Sequence, residues 1–320
     1  MNNSIPNLYF VLPCYNEEEI LRQSAEKILG LYNRLREESQ IGEDSRILFV
    51  DDGSKDNTWD IICELHRKDP VFHGIKLARN KGHQTAIYSG MMHGMEMGAD
   101  CVITIDADLQ QDIEAVPLFL EKYRNGCDVV YGVRDSRDTD GFFKKTTATA
   151  YYKLMKLLGC NVIEQSADYR LLSAKALKAL SGYKERNLFI RGIVPDMGFK
   201  SDIVTFHVSA RQAGSSKYTI KKMASLALDG IASFSIRPIR FVVVLGAIVF
   251  VISIVMMVAT LIDHFRGLTV PGWSTLSISI WFLGSVQLMS IGIVGEYVGR
   301  TYMESKNRPR YFISEETTDD

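Results

Sequence analysis

Two aspartates one residue apart, Asp106 and Asp108 in ITIDADLQQD, close a short apolar run. Side chains alternate along an extended chain, so these two carboxylates point the same way and can share one hard divalent cation, with Gln110 as a third oxygen ligand. Oxygen-only ligation favours Mg2+ or Mn2+ over zinc, and an ion held this way neutralises a departing diphosphate. Two earlier apolar runs also end in acidic segments, PCYNEEE at Pro13 to Glu19 and VDDGSKDNT at Val50 to Thr58. Their carboxylates can accept from a base N–H and from ribose hydroxyls, as a nucleoside site requires. The same residues can equally cap helices or complement a helix dipole. In LARNKGHQTA, residues Arg79, Asn80, Lys81 and Gly82 make a cationic turn suited to a phosphate or sugar edge, or else a solvated loop. His83 and His93 show no ligand partners at useful spacing and read as packing or surface residues.

The elements that position these groups follow from periodicity. LYFVLP, ILFVDD, GIKLA, CVITIDAD and DVVYGV read as strands, with helices over Glu17–Glu38, Asn57–Lys68 and Gln84–Met97 between them. Strand and helix in alternation predict an α/β fold, a mostly parallel sheet covered by helices on both faces, whose ligands sit at the carboxyl ends of the strands. The net charge of −1 over 320 residues gives no basic field for nucleic acid. Five scattered cysteines without a CxxC pair read as reduced thiols. Nothing at the N-terminus predicts a cleaved leader, so the first domain is expected in the cytoplasm.

Two stretches, Phe241–Ile262 and Trp273–Val294, carry no charge. Each reaches roughly 33 Å as a helix at about 1.5 Å per residue, enough to cross a bilayer, and the short connector makes them a hairpin. Arg237 and Arg240 precede the first, and Arg300, Lys306, Arg308 and Arg310 follow the second, which predicts both ends on the cytoplasmic side of the cell membrane. Segments 139–159 and 216–236 show amphipathic patterns with interspersed lysines, suited to interfacial helices or to ordinary core packing. The expected division is therefore a 1–215 catalytic domain, the 216–236 helix, two spans within 237–298 and a 299–320 cytoplasmic tail, read as disordered after Ser314.

The order PxYNE, DDGSxD, RNxG, DxD resembles the inverting glycosyltransferases of family 2. SADYRLLS at Ser166–Ser173, RQAGSSKY at Arg211–Tyr218 and GEYVGRTYMESKNRPRY at Gly295–Tyr311 extend the resemblance to the polyprenyl-phosphate hexosyltransferases, the group of dolichol-phosphate mannose synthase and the bactoprenol glucosyltransferases. No QxxRW segment of the processive synthases is present. The resemblance implies a GT-A (Rossmann-like) fold. It also implies a nucleoside pocket lined by Pro13, Tyr15, Glu17, Asp52 and Asp51, a metal on Asp106, Asp108 and Gln110, and Arg134, Arg211 and Lys217 facing the donor diphosphate or the acceptor phosphate. Lys145 and Thr149 fall where relatives contact the acceptor phosphate, and Asp168 where they carry the residue named as base. A phosphate monoester with a second pKa of about 6 is already largely dianionic at neutral pH. Asp168 is therefore expected to orient the acceptor or a basic side chain. The implied partners are a nucleotide sugar, with UDP-glucose ahead of UDP-N-acetylglucosamine and GDP-mannose, an undecaprenyl-type phosphate, and further copies of the chain in a homotetramer.

Overall fold

A computed structural model describes residues 5–134, 166–185, 189–206 and 272–318, with isolated positions between 242 and 255. Eight strands form one sheet: β1 (Leu8–Cys14), β2 (Arg46–Asp51), β3 (Phe72–Leu77), β4 (Cys101–Thr104), β5 (Val129–Arg134), β6 (Ser166–Ser173), β7 (Ser201–Phe206) and β8 (Ile313–Glu316). Their order is β7-β5-β6-β4-β1-β2-β3-β8. β4, β1, β2 and β3 are parallel, and β7 is parallel to β5, whereas β6 runs against both its neighbours and β8 runs against β3.

The central strands are buried on both faces, as near-continuous apolar runs in a covered parallel sheet must be. Leu8, Phe10 and Leu12 of β1 join one apolar layer, and Tyr9 and Val11 join the other. The first layer is closed by helices α1 (Leu21–Glu37), α2 (Thr58–Lys68) and α4 (Val116–Arg124). The second is closed by α3 (His83–Glu96), α5 (Ala174–Ser181) and α6 (Ile190–Asp196). α1 turns Leu21, Ala25, Ile28, Tyr32 and Leu35 inward at three- and four-residue steps. α3 lies close on the sheet because Gly90 faces it: a Cβ there would stand 2.4 Å from Val11 and 2.7 Å from Val50.

Three expectations change. The predicted helix at Glu17 begins instead at Leu21, because the Glu17 and Glu18 amides are taken by the loop after β2, donating to Thr58 Oγ1 at 2.9 Å and Asp56 Oδ2 at 3.2 Å. Strands β6 and β7 extend the sheet beyond the five expected. The tail read as disordered after Ser314 is strand β8, followed by the buried Thr317, whose hydroxyl accepts from Gly74 N at 2.9 Å.

A final helix, α7 (Trp273–Ser305), starts at the residue predicted for the second span and runs past its predicted end. Among the described residues no helix is long and apolar enough to cross a membrane. The segments 139–159 and 216–236, expected as interfacial helices, and most of 241–262 lie outside the described residues. Four of the five cysteines, Cys14, Cys63, Cys101 and Cys127, are free thiols, and Cys160 lies outside the described set.

Candidate active site

The parallel strands deliver their following loops to one edge, and hydrogen bonds from backbone amides to side-chain oxygens stitch those loops together. Asn16, at φ 52°, donates its amide to Ser54 Oγ at 3.0 Å and accepts from Lys55 N at 2.9 Å, while Glu18 accepts from Asn57 N at 3.0 Å. The loops after β1 and β2 thus form a single unit. Gly53, at φ 66°, lets this unit press against the turn after β3, where a Cβ would meet Arg79 C and Asn80 N at 2.7 Å. Asp52 completes the joint. Its two carboxylate oxygens accept from Lys81 N at 2.7 Å and Gly82 N at 2.8 Å. Burial pushes its pKa up against the opposing pull of those amides.

Asp51 is buried behind this joint. Its Oδ1 accepts from Ser54 N at 2.9 Å, its Oδ2 has no hydrogen-bond partner among the described residues, and burial raises its pKa. Pro13 is likewise buried, whereas Tyr15, Glu17 and Lys81 are half-buried and Arg79 is exposed. The accessible rim of the expected nucleoside pocket is therefore Tyr15 and Glu17, with Asp52 as the clamp that shapes it.

Beyond β4 the chain turns through Asp106 and Asp108. Leu109 adopts φ 46°, a conformation aliphatic side chains rarely enter, so strain is held in the turn that presents both carboxylates. Gln111 fastens the turn: its Nε2 donates to Asp106 Oδ2 at 2.6 Å, and its Oε1 accepts from Asp106 N at 2.8 Å. The Gln110 backbone amide donates to Asp108 Oδ1 at 3.2 Å. The amide side chain bonded to Asp106 is thus that of Gln111.

Asp168 enters the same edge from β6, held there by Thr104 Oγ1 donating to its carbonyl at 2.5 Å. Its carboxylate is 8% exposed and accepts from Arg170 Nη2 at 2.8 Å, from Arg191 Nε and Nη2 at 3.0 and 2.9 Å, and from Gln84 Nε2 at 3.1 Å. Burial opposes ionisation, but Arg191, His83 and Arg170 together outweigh it and hold the carboxyl well below its ordinary 3.8. His83, the first residue of α3, places Nε2 3.4 Å from Asp106 Oδ1 and 3.6 Å from Asp168 Oδ2. Burial lowers its pKa, and Asp168 and Asp106 more than compensate, so the imidazolium is favoured. Asp106 is shifted the other way: burial raises its pKa, His83 opposes, and the charges of Asp168 and Asp108 add to the rise.

This crowding of carboxylates fits a hard divalent cation, which would relieve the repulsion that Asp106 registers. Among the described residues no three His, Cys, Asp or Glu side chains make a complete metal cage. Two carboxylates with the remaining positions left to water and phosphate is the manner in which Mg2+ is commonly held. Arg134 ends β5 at the same edge and is exposed. Lys145, Thr149, Arg211 and Lys217 lie outside the described residues.

Residues 9–181, which contain every loop just described up to Asp168, match the model of glycosyl transferase family 2. The chain belongs to that family. A second match, over residues 237–301, is to the GtrB C-terminal hairpin. The glycosyltransferase is 49% identical to a Bacillus subtilis protein named "Uncharacterized glycosyltransferase YkoT", over 98% of this chain and 93% of the relative. It is 40% identical to the bactoprenol glucosyl transferase of Shigella phage SfV, over 96% of this chain and 97% of that one, and 38% identical to a prophage bactoprenol glucosyl transferase homolog of Escherichia coli K12, over 95% and 97%.

Sequence reasoning passed over His83, Gln84, Gln111, Arg170 and Arg191. His83 and Gln84 did carry a signal, since they open the helix directly after the RNKG turn and must therefore face the strand ends. Arg191 carried none, because only the three-dimensional return of α6 to β6 brings it onto Asp168.

Proposed function

We propose that this glycosyltransferase moves a hexose from a nucleoside-diphosphate sugar onto a polyprenyl phosphate at the cytoplasmic face of a membrane, with inversion and with UDP-glucose as donor. The observation that carries the reading is the cluster at the strand ends, where Asp106 and Asp168 share the His83 ring and Arg191 grips Asp168. The names of the two bactoprenol relatives support glucose and a polyprenyl acceptor. Membrane attachment is supported by the charge-free stretches, by the match to a C-terminal hairpin, and by exposed apolar side chains on α7 such as Leu276, Ile280, Phe282 and Ile291. A homo-oligomer, four copies by resemblance, would cover part of that surface.

In this reading Tyr15 and Glu17 bound the nucleoside, and the turn Arg79–Gly82, fixed by Asp52, lies along the diphosphate. Asp106 and Asp108 would hold Mg2+ or Mn2+, which when bound stabilises negative charge on the departing diphosphate. Asp168 is a poor proton acceptor, since three cationic neighbours keep it ionised. Its task is orientation: it holds the Arg191 guanidinium, itself 34% exposed, at the edge where the acceptor phosphate must arrive. That phosphate is already largely dianionic at neutral pH and attacks the anomeric carbon without needing a strong base.

The test is a donor panel. Purified full-length protein in lipid is given UDP-glucose, UDP-N-acetylglucosamine or GDP-mannose with a short polyprenyl phosphate and Mg2+ or Mn2+, and the lipid product is identified by mass. A hexosyl polyprenyl phosphate from UDP-glucose is the expected product. Transfer from another donor alone reassigns the sugar, and release of nucleoside diphosphate without lipid product removes the acceptor.

A further inference from the structure

Residues 310–317, which follow α7, touch four separate parts of the catalytic domain. Arg310 donates from Nε to the Glu185 carbonyl at 2.9 Å and from Nη2 to the Tyr183 carbonyl, and its guanidinium lies 4.5 Å over the Tyr88 ring of α3. Tyr311 meets that ring edge-on, with centroids 6.4 Å apart. Phe312 O accepts from Ala78 N at 2.9 Å, after which β8 pairs along β3. Glu315 then accepts from Trp59 Nε1 at 2.9 Å and Lys76 Nζ at 2.8 Å, and Glu316 lies 3.1 Å from His93.

Three of these anchors adjoin a wall of the site. Ala78 precedes the turn whose amides hold Asp52. Tyr88 belongs to the helix that opens with His83 and Gln84. Tyr183 and Glu185 lie on the connection into α6, whose second residue, Arg191, grips Asp168. One guanidinium can span two carbonyls and cover an aromatic face at the same time, because it is planar and presents its donors as a fork; an ammonium cannot.

We propose that Arg310 is a positioning residue for the transfer reaction: by tying α3 to the connection into α6, it sets where Arg191 and Asp168 stand relative to Asp106 and Asp108. The proposal rests on the transfer reading above. It gives the segment that follows the last helix a part in catalysis, although none of its contacts named above is with Asp106, Asp108, Asp168 or Arg191. A contact that only stabilised the fold would lower the melting midpoint and leave the kinetics of the folded protein unchanged. A positioning residue acts through its target and is silent when the target is already disturbed.

The experiment is a double-mutant cycle on the full chain in lipid, with UDP-glucose, or the donor the panel identifies, and a short polyprenyl phosphate. Arg310→Ala is expected to lower kcat about tenfold with the donor KM unchanged, as a misplacement well under 1 Å would do. In an Arg191→Lys background the same change should cost less than about twofold. Hydrogen exchange supplies an arm that needs no activity: the Gly192 and Ile193 amides, bonded to Phe189 O at 2.9 and 3.0 Å, should exchange faster in Arg310→Ala than in wild type. Full additivity with Arg191→Lys, a native kcat, or unchanged exchange at Gly192 and Ile193 each overturns the proposal. If Arg310→Ala does not fold, Arg310→Lys carries the same cycle, since it keeps the charge over Tyr88 and loses the two-carbonyl fork. A wild-type chain that transfers no sugar from any donor refutes the transfer reading, and the exchange arm then decides the positioning alone.

Discussion

Replacing Asp168 by Asn removes a negative charge from beneath two guanidiniums. The wild-type carboxylate takes one hydrogen bond from Arg170, two from Arg191 and one from Gln84. Asn preserves the shape, but it brings one acceptor and two donors to a point where donors already converge. Arg170, 1% exposed, loses this charge partner, and breaking one half of a buried pair costs about 3–5 kcal/mol. Arg191 is a third exposed, so solvent screens its loss and no further energy is assigned to it. At about 2–4 °C per kcal/mol for a domain of this size, the melting midpoint should fall by about 10 °C. Thermal unfolding of the purified variant at several pH values is the assay. The folded carboxyl titrates below its unfolded value, so its contribution is present above that value and is lost as pH falls through the folded one. In a His83→Gln background, which removes the imidazole whose pKa Asp168 raises, the gap opened by Asp168→Asn should therefore be flat from about pH 8 to about pH 5 and narrow only in stronger acid. A midpoint within about 2 °C of wild type refutes the reasoning about burial. A gap that changes between about pH 6 and pH 8 in the His83→Gln background refutes the ionisation argument, because Asp168 would then be titrating where a catalytic base titrates.

Three other outcomes follow from the same geometry. Asp108→Asn should lower transfer by on the order of a thousandfold with little change in melting, and chelation of wild type should abolish activity that added Mn2+ or Mg2+ restores. His83→Gln, compared with wild type in chelator, should be less stable at low pH only. The raised imidazole pKa means that its contribution is complete below 6.5 and disappears as pH rises through the folded value, so equal melting at pH 6 and pH 9 would contradict the ion pairs with Asp106 and Asp168. Gly53→Ala should cost about 1–3 kcal/mol in denaturant unfolding, since it places a Cβ 2.7 Å from the Arg79–Asn80 backbone at a positive φ; a neutral effect would mean that the two loops are not packed as described.

The parallel half of the fold was legible because its signals are local. The apolar runs at β1 and β2 are continuous, and each is followed by a helix whose buried positions recur every three or four residues. The acidic strand ends were legible for the same reason. What escaped were non-local pairings. β6 lies between β4 and β5 although it follows both in sequence, so nothing in SADYRLLS announced an antiparallel insertion between neighbours already paired by pattern. β8 reads as a charged tail, ISEE, and becomes a strand only because β3 offers it an open edge. Within the site, Asp52 was expected to line the nucleoside pocket, and the structure adds that its oxygens accept from the Lys81 and Gly82 amides. A carboxylate after a strand says that acceptors are needed there, and it does not say whose N–H will fill them.

The edge pairing of β8 with β3 also bears on synthesis. Ser314 and Lys76, which meet there through a hydrogen bond, are 238 residues apart in the chain. A ribosome makes β3 long before its cover, so throughout that interval the nascent domain carries a row of unsatisfied amide and carbonyl groups able to template pairing with another strand. Chaperone demand should accordingly concentrate on partly translated chains, and truncations that remove the last dozen residues should aggregate through β3.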